Sequence, residues 1–221
     1  MTKDTIEKLK IISPFINKVR LSKDKTIFMN EGRSVVALIE TPEINQEICI
    51  YDINKLINIT KMFSEYELSL ENDLIVIEGI QSRAEFKLAN PELVEDFGGQ
   101  GNPFENLSNQ ICSIPFSKED LKSFKIFQSI EHLNEFLNLK SFDTSVEIES
   151  VQKNSDMWKN NSFKKKYLVG SDKKFDLKIK NEILNYLPQM DFNINIFYNP
   201  ERDRFALVFE NELLKVRVSL V

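Results

Sequence analysis

One order of helix- and strand-forming segments occurs twice in this chain. In the first half an apolar strand, EICIYD, leads into a helix opened by Asp52, and three strands follow: YELSLE, DLIVIEG and RAEFKLA. In the second half FDLKIK leads into NEILNYL behind Asn181, and FNINIFYN, RFALVFE and LKVRVSL follow. The offset is 129 residues from Asp52 to Asn181 and 131 from Ala84 to Lys215. This nearly constant spacing predicts two copies of one domain.

Each copy also begins with a helix of its own, DTIEKLKIIS in the first and SKEDLKSFKIFQSI in the second. Asp4 with Glu7, and Ser117 with Asp120, have the spacing of a capping box, and Pro14 limits the first helix to about three turns. Further strand candidates lie between the two helices of each copy: KVRLS, KTIFMN and SVVALIE, then FLNLKSF, SVEIESV and KKKYLVG. The chain is therefore predicted to be α+β, with two similar domains that each pack two helices on antiparallel sheets.

A hydrophilic connector separates the copies. The stretch NPELVEDFGGQGNPFENLSNQ holds two prolines and three glycines, so we predict domains at 1–90 and 111–221 with a connector at 91–110. Its GGQG motif precedes neither Lys-Ser nor Lys-Thr and lacks a strand-to-helix context, which favours a linker over a phosphate-binding loop.

The charge balance restricts contact with nucleic acid to one face. The chain has 29 basic and 34 acidic residues, a net charge of −5, whereas general nucleic-acid coat proteins carry a basic excess. The two cysteines, Cys49 and Cys112, fall in predicted strands and are expected to be buried thiols. Because no apolar stretch is long enough to cross a bilayer and no signal peptide is recognisable, we expect no membrane association and a reducing cytoplasm.

Polar faces of the predicted helices carry lysines and amides. On the first helix Lys3 and Lys10 share one stripe, opposite the apolar Ile6, Leu9, Ile12 and Ile16. On the second helix Asn54, Asn58 and Lys61 form a stripe with Lys55 at its edge. The fourth helix offers two asparagines, Asn181 and Asn185, and no lysine.

The third helix carries the clearest stripe. At about 100° per residue, Lys118, Lys122 and Lys125 fall in one narrow arc, while Leu121, Phe124, Phe127 and Ile130 are expected to face inward. A solvated face explains any single stripe. Three such helices in an acidic chain, whose acids gather in the connector and turns, favour a surface that faces phosphates, because lysines contact backbone charge without reading sequence.

Motifs for catalysis or metal binding are absent from the sequence. His132 is the single histidine, and CxxC, HExxH, GxSxG and Walker motifs do not occur. We therefore predict no catalytic residues, no metal site and no cofactor. The run at 164–166, KKK, is interpreted as an exposed strand or loop that solubilises the chain, with contact to DNA as the alternative.

Three segments resemble the DNA polymerase sliding clamps of T-even-like tailed phages, within the PCNA-like clamp superfamily. KDTIEKLK resembles their opening helix, YDINKLINITKMF their second helix, and KEDLKSF the start of the helix after the connector. Element order agrees over nearly the whole chain.

The resemblance implies the DNA-clamp (processivity) fold and a homotrimer that closes into a ring, with helices lining the hole. Such clamps encircle double-stranded DNA without reading its sequence, tether the replicative DNA polymerase and are opened by an ATP-dependent clamp loader. The resemblance also implies that the chain is not an enzyme and acts in the cytoplasm of an infected bacterial host.

Residue by residue, the resemblance implies DNA-facing positions at Lys3, Lys10, Lys55, Lys61, Lys118, Lys122 and Lys125. It also implies a hydrophobic pocket near the connector for a partner peptide. The apolar connector residues Leu93, Val94, Phe97 and Phe104 are candidates to line it, although they can equally anchor the connector onto the domains.

Two other functions are compatible with the sequence. The first is a non-catalytic protein-interaction scaffold of duplicated α+β domains that does not encircle DNA; the second is an enzyme with an unfamiliar carboxylate site. For the ring we expect strand pairing between copies, with SVEIESV or KKKYLVG on one side and RAEFKLA or DLIVIEG on the other.

Overall fold

The computed structural model describes residues 1–30, 32–97, 101–131, 134–151 and 161–221, which form two compact units, Met1–Asn102 and Pro103–Val221. His132 and most of the GGQG motif lie outside the described residues. None of the described helices is both long enough and apolar enough to span a membrane.

The described residues of unit 1 form two helices and seven strands. In chain order they are α1 (Lys3–Ile12), β1 (Val19–Leu21), β2 (Asp24–Met29), β3 (Val35–Thr41), β4 (Ile48–Ile50), α2 (Ile53–Thr60), β5 (Glu67–Glu71), β6 (Leu74–Glu78) and β7 (Arg83–Lys87). Antiparallel pairs join β1 to β4 and β2 to β3, and β5, β6 and β7 form a three-stranded sheet in that order. A 3-10 turn, Pro91–Leu93, follows.

Unit 2 repeats this order behind one additional strand. It contains β8 (Gln110–Phe116), α3 (Lys118–Ile130), β9 (Phe136–Ser141), β10 (Val146–Val151), β11 (Phe163–Tyr167), β12 (Asp176–Lys180), α4 (Ile183–Tyr186), β13 (Phe192–Asn199), β14 (Arg204–Glu210) and β15 (Leu214–Val218). One antiparallel sheet has the order β11-β10-β9-β12, and in another β8, β13, β14 and β15 follow one another.

Helices and sheets share a core in each unit, as the repeat predicted. In unit 1 the apolar side of α1 is fully buried, and β6 buries three successive side chains, Ile75, Val76 and Ile77. Tight turns close the hairpins: Asn72 adopts a φ of 51° between β5 and β6, a conformation that asparagine tolerates better than most residues. After β6, a Cβ on Gly79 would lie 2.8 Å from the ring of Phe63, so any larger residue there would have to displace that ring.

Two of the predicted helix caps are wrong. Helix α1 is capped by Thr2, whose hydroxyl accepts from the Thr5 amide while the Thr5 hydroxyl accepts from the Thr2 amide. Asp4 is already inside the first turn and pairs with Lys8, four residues on, at 2.9 Å. Helix α4 has no side-chain cap, because the buried Asn181 amide donates to the Asn134 carbonyl and accepts from Gln128.

The predicted inward position of Ile130 is also wrong, since 66% of this residue is exposed. The buried stripe of α3 runs through Leu121 and Phe124 towards Gln128, at spacings of three and four residues. Ile130 lies two residues beyond Gln128, which places it on the opposite side of the helix. The predicted caps Asp52 of α2 and Ser117 of α3 are confirmed.

Candidate nucleic-acid interface

The two helices of unit 1 contact each other and present four lysines to solvent. Their apolar sides are buried, which leaves the polar stripes outward. All four predicted side chains are exposed: Lys3, Lys10, Lys55 and Lys61. The structure therefore places every candidate lysine of unit 1 on the surface of the helix pair.

Three of these lysines have local partners. The Lys10 ammonium lies 2.6 Å from the Glu7 carboxylate, three residues earlier, which partly neutralises it. The Lys61 ammonium donates to the Asn58 side chain at 3.2 Å, and Lys3 lies 5.1 Å from the centre of the Tyr66 ring. Lys55 makes no ion pair with any described residue, so no carboxylate of the described chain neutralises its charge on α2.

Lys8 is a further lysine of α1 that sequence reasoning did not single out. It is buried, and its ammonium contacts both Asp4 and Glu43 at 2.9 Å. Burial lowers the pKa of Lys8, but the hydrogen bonds to Asp4 and Glu43 outweigh burial and leave that pKa raised. This cation fixes α1 to the loop after β3 and is not available to a ligand.

In unit 2 the stripe on α3 divides into two exposed lysines and one bound lysine. Lys118 and Lys122 are exposed; the Lys118 ammonium is 4.0 Å from Glu119, and Lys122 forms no ion pair among the described residues. Lys125 is half-buried and donates to the Leu187 carbonyl at 2.8 Å, just beyond α4. Burial lowers the pKa of Lys125. This ammonium is tied to the α3–α4 contact.

The start of α3 is held by a buried carboxylate. Asp120 is 4% exposed; it accepts from the Ser117 amide at 3.2 Å, from the Tyr167 hydroxyl at 3.1 Å and from the Lys165 ammonium. Burial is the main cause of the raised pKa of Tyr167, and the nearby Asp120 carboxylate raises that pKa further. Lys165 and Tyr167 both lie on β11, so Asp120 fixes the helix that bears Lys118 and Lys122 to that strand. The capping-box motif indicated Asp120, but no sequence signal indicated its partners.

The lysine run at 164–166 forms most of β11, an exposed strand as predicted. Lys164 and Lys166 point outward, and Lys164 pairs with Glu147 and Glu149 across the sheet at 3.4 and 3.1 Å. Lys165 turns inward to Asp120. Alternation along the strand thus assigns the three lysines to two different roles.

Helix α4 contributes little. It is four residues long, and of the two predicted asparagines Asn181 is buried and fully engaged while Asn185 is exposed. The positive charge of the helices therefore comes from α1, α2 and α3 in the described part of the chain.

The four connector candidates differ in exposure. Val94 is 5% exposed, whereas Leu93 is 61% exposed at the end of the 3-10 turn. Phe97 and Phe104 are half-buried, the first in unit 1 and the second in unit 2. The pocket assignment stays a prediction.

No described group is arranged for metal or thiol chemistry. Across the described ranges, no three His, Cys, Asp or Glu residues come together as a metal site. Cys49 and Cys112 are free and buried, and burial raises the pKa of both thiols, which keeps them protonated and unreactive at neutral pH.

Similarity to solved structures identifies the fold. No protein-family model and no curated protein sequence matches the chain. It is similar over its full length to A. fulgidus PCNA with the C-terminal region of FEN-1 bound, at a TM-score of 0.69 and 14% identity, covering 96% of that chain. It is also similar to the Helicobacter pylori beta clamp bound to a DNA ligase peptide, at a TM-score of 0.65 and 17% identity, over 99% of this chain and 63% of that one. The chain has the DNA-clamp fold.

Proposed function

We propose that this protein is a sliding clamp, which encircles duplex DNA and tethers the replicative DNA polymerase without catalysing a reaction. One observation carries the proposal: on a clamp fold with an acidic net charge, six lysines lie exposed on the first three helices, namely Lys3, Lys10, Lys55, Lys61, Lys118 and Lys122. Lysine makes flexible point-charge contacts with phosphates and reads no sequence, as sliding requires.

The binding in this proposal is topological. A closed ring retains DNA by enclosure, so each lysine contact needs only to be weak and exchangeable. An acidic exterior repels DNA from every face except the one that the helices form. Lys125 supports this face differently, by holding α3 against the segment after α4.

Ring closure requires strand edges that a second copy can use. Among the candidates named from sequence, β11 is the outermost strand of its sheet while β10 is internal, and β7 is outermost while β6 is internal. Edge strands present unpaired backbone groups that template pairing with another chain. We therefore assign β11 and β7 to the contact between neighbouring copies of a homotrimer.

The partners follow from the same proposal. They are the replicative polymerase and an ATP-dependent clamp loader, which dock through short apolar peptides at a pocket that includes the exposed Leu93. The motifs KDTIEKLK, YDINKLINITKMF and KEDLKSF support an origin in a T-even-like phage, and hence action in the cytoplasm of the infected host.

A retention assay tests the function. We expect the chain to sediment at three times its monomer mass, to remain on circular DNA after loading and to slide off when that DNA is linearised. The double variant Lys118→Ala with Lys122→Ala should remain trimeric but load poorly. The matched control, Lys140→Ala with Lys174→Ala, removes two exposed lysines outside the helices and should load normally.

The same assay separates the clamp from an interaction scaffold. A monomer that never remains on circular DNA would contradict the clamp and favour the scaffold. Equal losses in the helix variant and its control would contradict the assignment of the helix face while leaving ring formation intact.

A further inference from the structure

The strand that follows the second helix has a neighbouring strand on both sides in unit 2, but on one side only among the described strands of unit 1. In unit 2 β13 lies between β14 and β8. In unit 1 the equivalent strand, β5, pairs with β6 on one side and with no described strand on the other. The two strands are equivalent because each follows the second helix of its unit and begins a three-stranded meander.

Burial shows what β8 does for β13. In that pair Ile194 lies opposite Ile114, and Ile194 and Ile196 are 1% and 0% exposed. The inward residues of β5, Leu68 and Leu70, are only half-buried. The side chains that β8 supplies to the core of unit 2 have no counterpart beside β5.

A surface cavity adjoins the open edge of β5. Leu70 forms one wall. The first residue of the chain, the loop between β3 and β4, and the first residue of β4 form the others: Met1, Glu43, Ile44, Asn45, Gln46 and Ile48. Apolar side chains from an added strand would enter here, as Cys112 and Ile114 of β8 enter the core of unit 2.

The charge around this edge indicates the chemistry of the occupant. Residues 67–87 carry five acidic side chains and two basic ones, and the basic Arg83 already pairs with Glu71, Glu78 and Glu85. Glu67 is exposed and makes no ion pair with a described residue. An incoming strand with lysine or arginine at its outward positions would complement this surface.

The same charges disfavour a second copy of β5. Two β5 strands paired antiparallel about their central Ser69 would place Glu67 of one opposite Glu71 of the other. Like charges directly opposite each other destabilise a strand pair. The occupant is therefore a strand of different sequence.

We propose that the open edge of β5 is a docking site for an extended segment of a partner protein, with apolar residues at alternate positions and basic residues between them. The segment adds a fourth strand to the β5-β6-β7 sheet in the place that β8 holds in unit 2. Backbone hydrogen bonds along the edge of β5 supply affinity. The face of β5 that bears Leu68 and Leu70, together with the cavity beside Leu70, selects segments with apolar side chains at alternate positions.

A peptide probe tests this site on the full chain. The probe is a fluorescein-labelled heptapeptide of alternating lysine and isoleucine, and its control is the same peptide N-methylated at alternate residues, which keeps charge and composition but blocks strand pairing. Fluorescence anisotropy measures the affinity of both peptides. We expect the probe to bind and the control to bind at least tenfold more weakly. Amides of β5 should become protected from hydrogen exchange, and those of β13 should not change.

Two variants locate the site. Leu70→Glu should weaken the probe at least tenfold, although the added negative charge favours a basic peptide in general. Met62→Glu, at a side chain that is 79% exposed outside the edge, should leave affinity unchanged. Because the N-methylated control needs no mutation, the result stands even if Leu70→Glu fails to fold.

Three outcomes would overturn the proposal: equal affinity for the two peptides, protection of β7 or β11 in place of β5, and protection of β5 by self-association without peptide. None of these outcomes depends on DNA retention, so the docking site and the clamp function can fail separately.

Discussion

Units 1 and 2 follow one order of elements but finish their sheets differently. In unit 2 a strand precedes the first helix, and β8 covers β13 so that Ile194 and Ile196 are fully buried. In unit 1 the described residues provide no such strand, and Leu68 and Leu70 stay half-buried. The repeated pattern therefore determines the order of elements in each unit. The additional strand β8 determines whether the inward side chains of the strand after the second helix are fully buried.

The cores also differ in chemistry. Unit 1 fills its core mainly with aliphatic side chains, among them Ile6, Leu9, Ile12, Ile53 and Leu56. Unit 2 has an aromatic cluster around Phe116, whose ring centre lies 5.8 Å from Phe124, 6.2 Å from Phe209 and 6.5 Å from Tyr167. Because Phe116 belongs to β8, the additional strand of unit 2 supplies the centre of its core.

The largest effect is expected from Phe116→Ala. Phe116 is 1% exposed, and its removal leaves a cavity against three rings, which typically costs about 3–5 kcal/mol. Urea denaturation followed by circular dichroism measures the loss. Phe116→Leu keeps most of the volume and should cost less than about 1.5 kcal/mol. If Phe116→Ala also costs less than about 1.5 kcal/mol, β8 is not central to the core.

A smaller loss is expected from Asp120→Ala, which tests the link between α3 and β11. The substitution removes the capping-box acceptor of the Ser117 amide and leaves the buried Tyr167 hydroxyl without its acceptor, at a cost of about 2–3 kcal/mol. Lys165 can turn to solvent, because 42% of its side chain is already exposed, and this limits the loss.

The cap of α1 provides the matched comparison in unit 1. Thr2→Ala removes a helix cap that is joined to no second element by a charge, so about 1 kcal/mol is expected. Equal losses for Thr2→Ala and Asp120→Ala in the same denaturation experiment would show that Asp120 acts through the capping box alone and not through its link to β11.

Sequence reasoning recovered the framework because periodicity and local capping depend on near neighbours. Every predicted strand is present, and the caps at Asp52 and Ser117 form as expected. The errors at Asp4 and Ile130 are local: the cap of α1 lies two residues earlier, at Thr2, and Ile130 lies on the outer side of α3. The error at Asn181 has a tertiary cause, because Asn134 and Gln128 occupy its side-chain amide. The binding of Lys125 to the Leu187 carbonyl, 62 residues away in sequence, was equally out of reach. Helical spacing placed the seven candidate lysines on polar faces but could not reveal which of them has an internal partner.

The pH dependence of stability distinguishes the hydroxyl of Tyr167 from its ring. Burial and the Asp120 carboxylate raise the pKa of Tyr167 in the folded chain, whereas an unfolded tyrosine titrates near about 10. Above that pH the unfolded state loses a proton that the folded state keeps. The stabilisation that the protonated Tyr167 hydroxyl gives the folded chain is therefore fully present below pH ~10. Above that pH the free energy of unfolding declines by up to about 1.4 kcal/mol per pH unit.

Tyr167→Phe removes this titration and keeps the ring. Its free energy of unfolding should fall less steeply than that of the unmodified chain between about pH 9.5 and 11, measured by urea denaturation at each pH. Parallel pH profiles for the two proteins would mean that the hydroxyl titrates alike in the folded and unfolded states.

The smallest effect separates two lysines one turn apart on α3. If the helix face meets phosphates, Lys122→Ala should reduce the slope of log affinity for duplex DNA against log salt by about one. Lys125→Ala should change this slope by less than half as much, because its ammonium already donates to Leu187 and its pKa is lowered by burial. Fluorescence anisotropy of a labelled duplex over a salt series measures both, with Lys140→Ala as the control outside the helices. Equal slopes for the two α3 variants would show that Lys125 leaves the Leu187 carbonyl when DNA is present, and that unit 2 contributes three lysines to the interface.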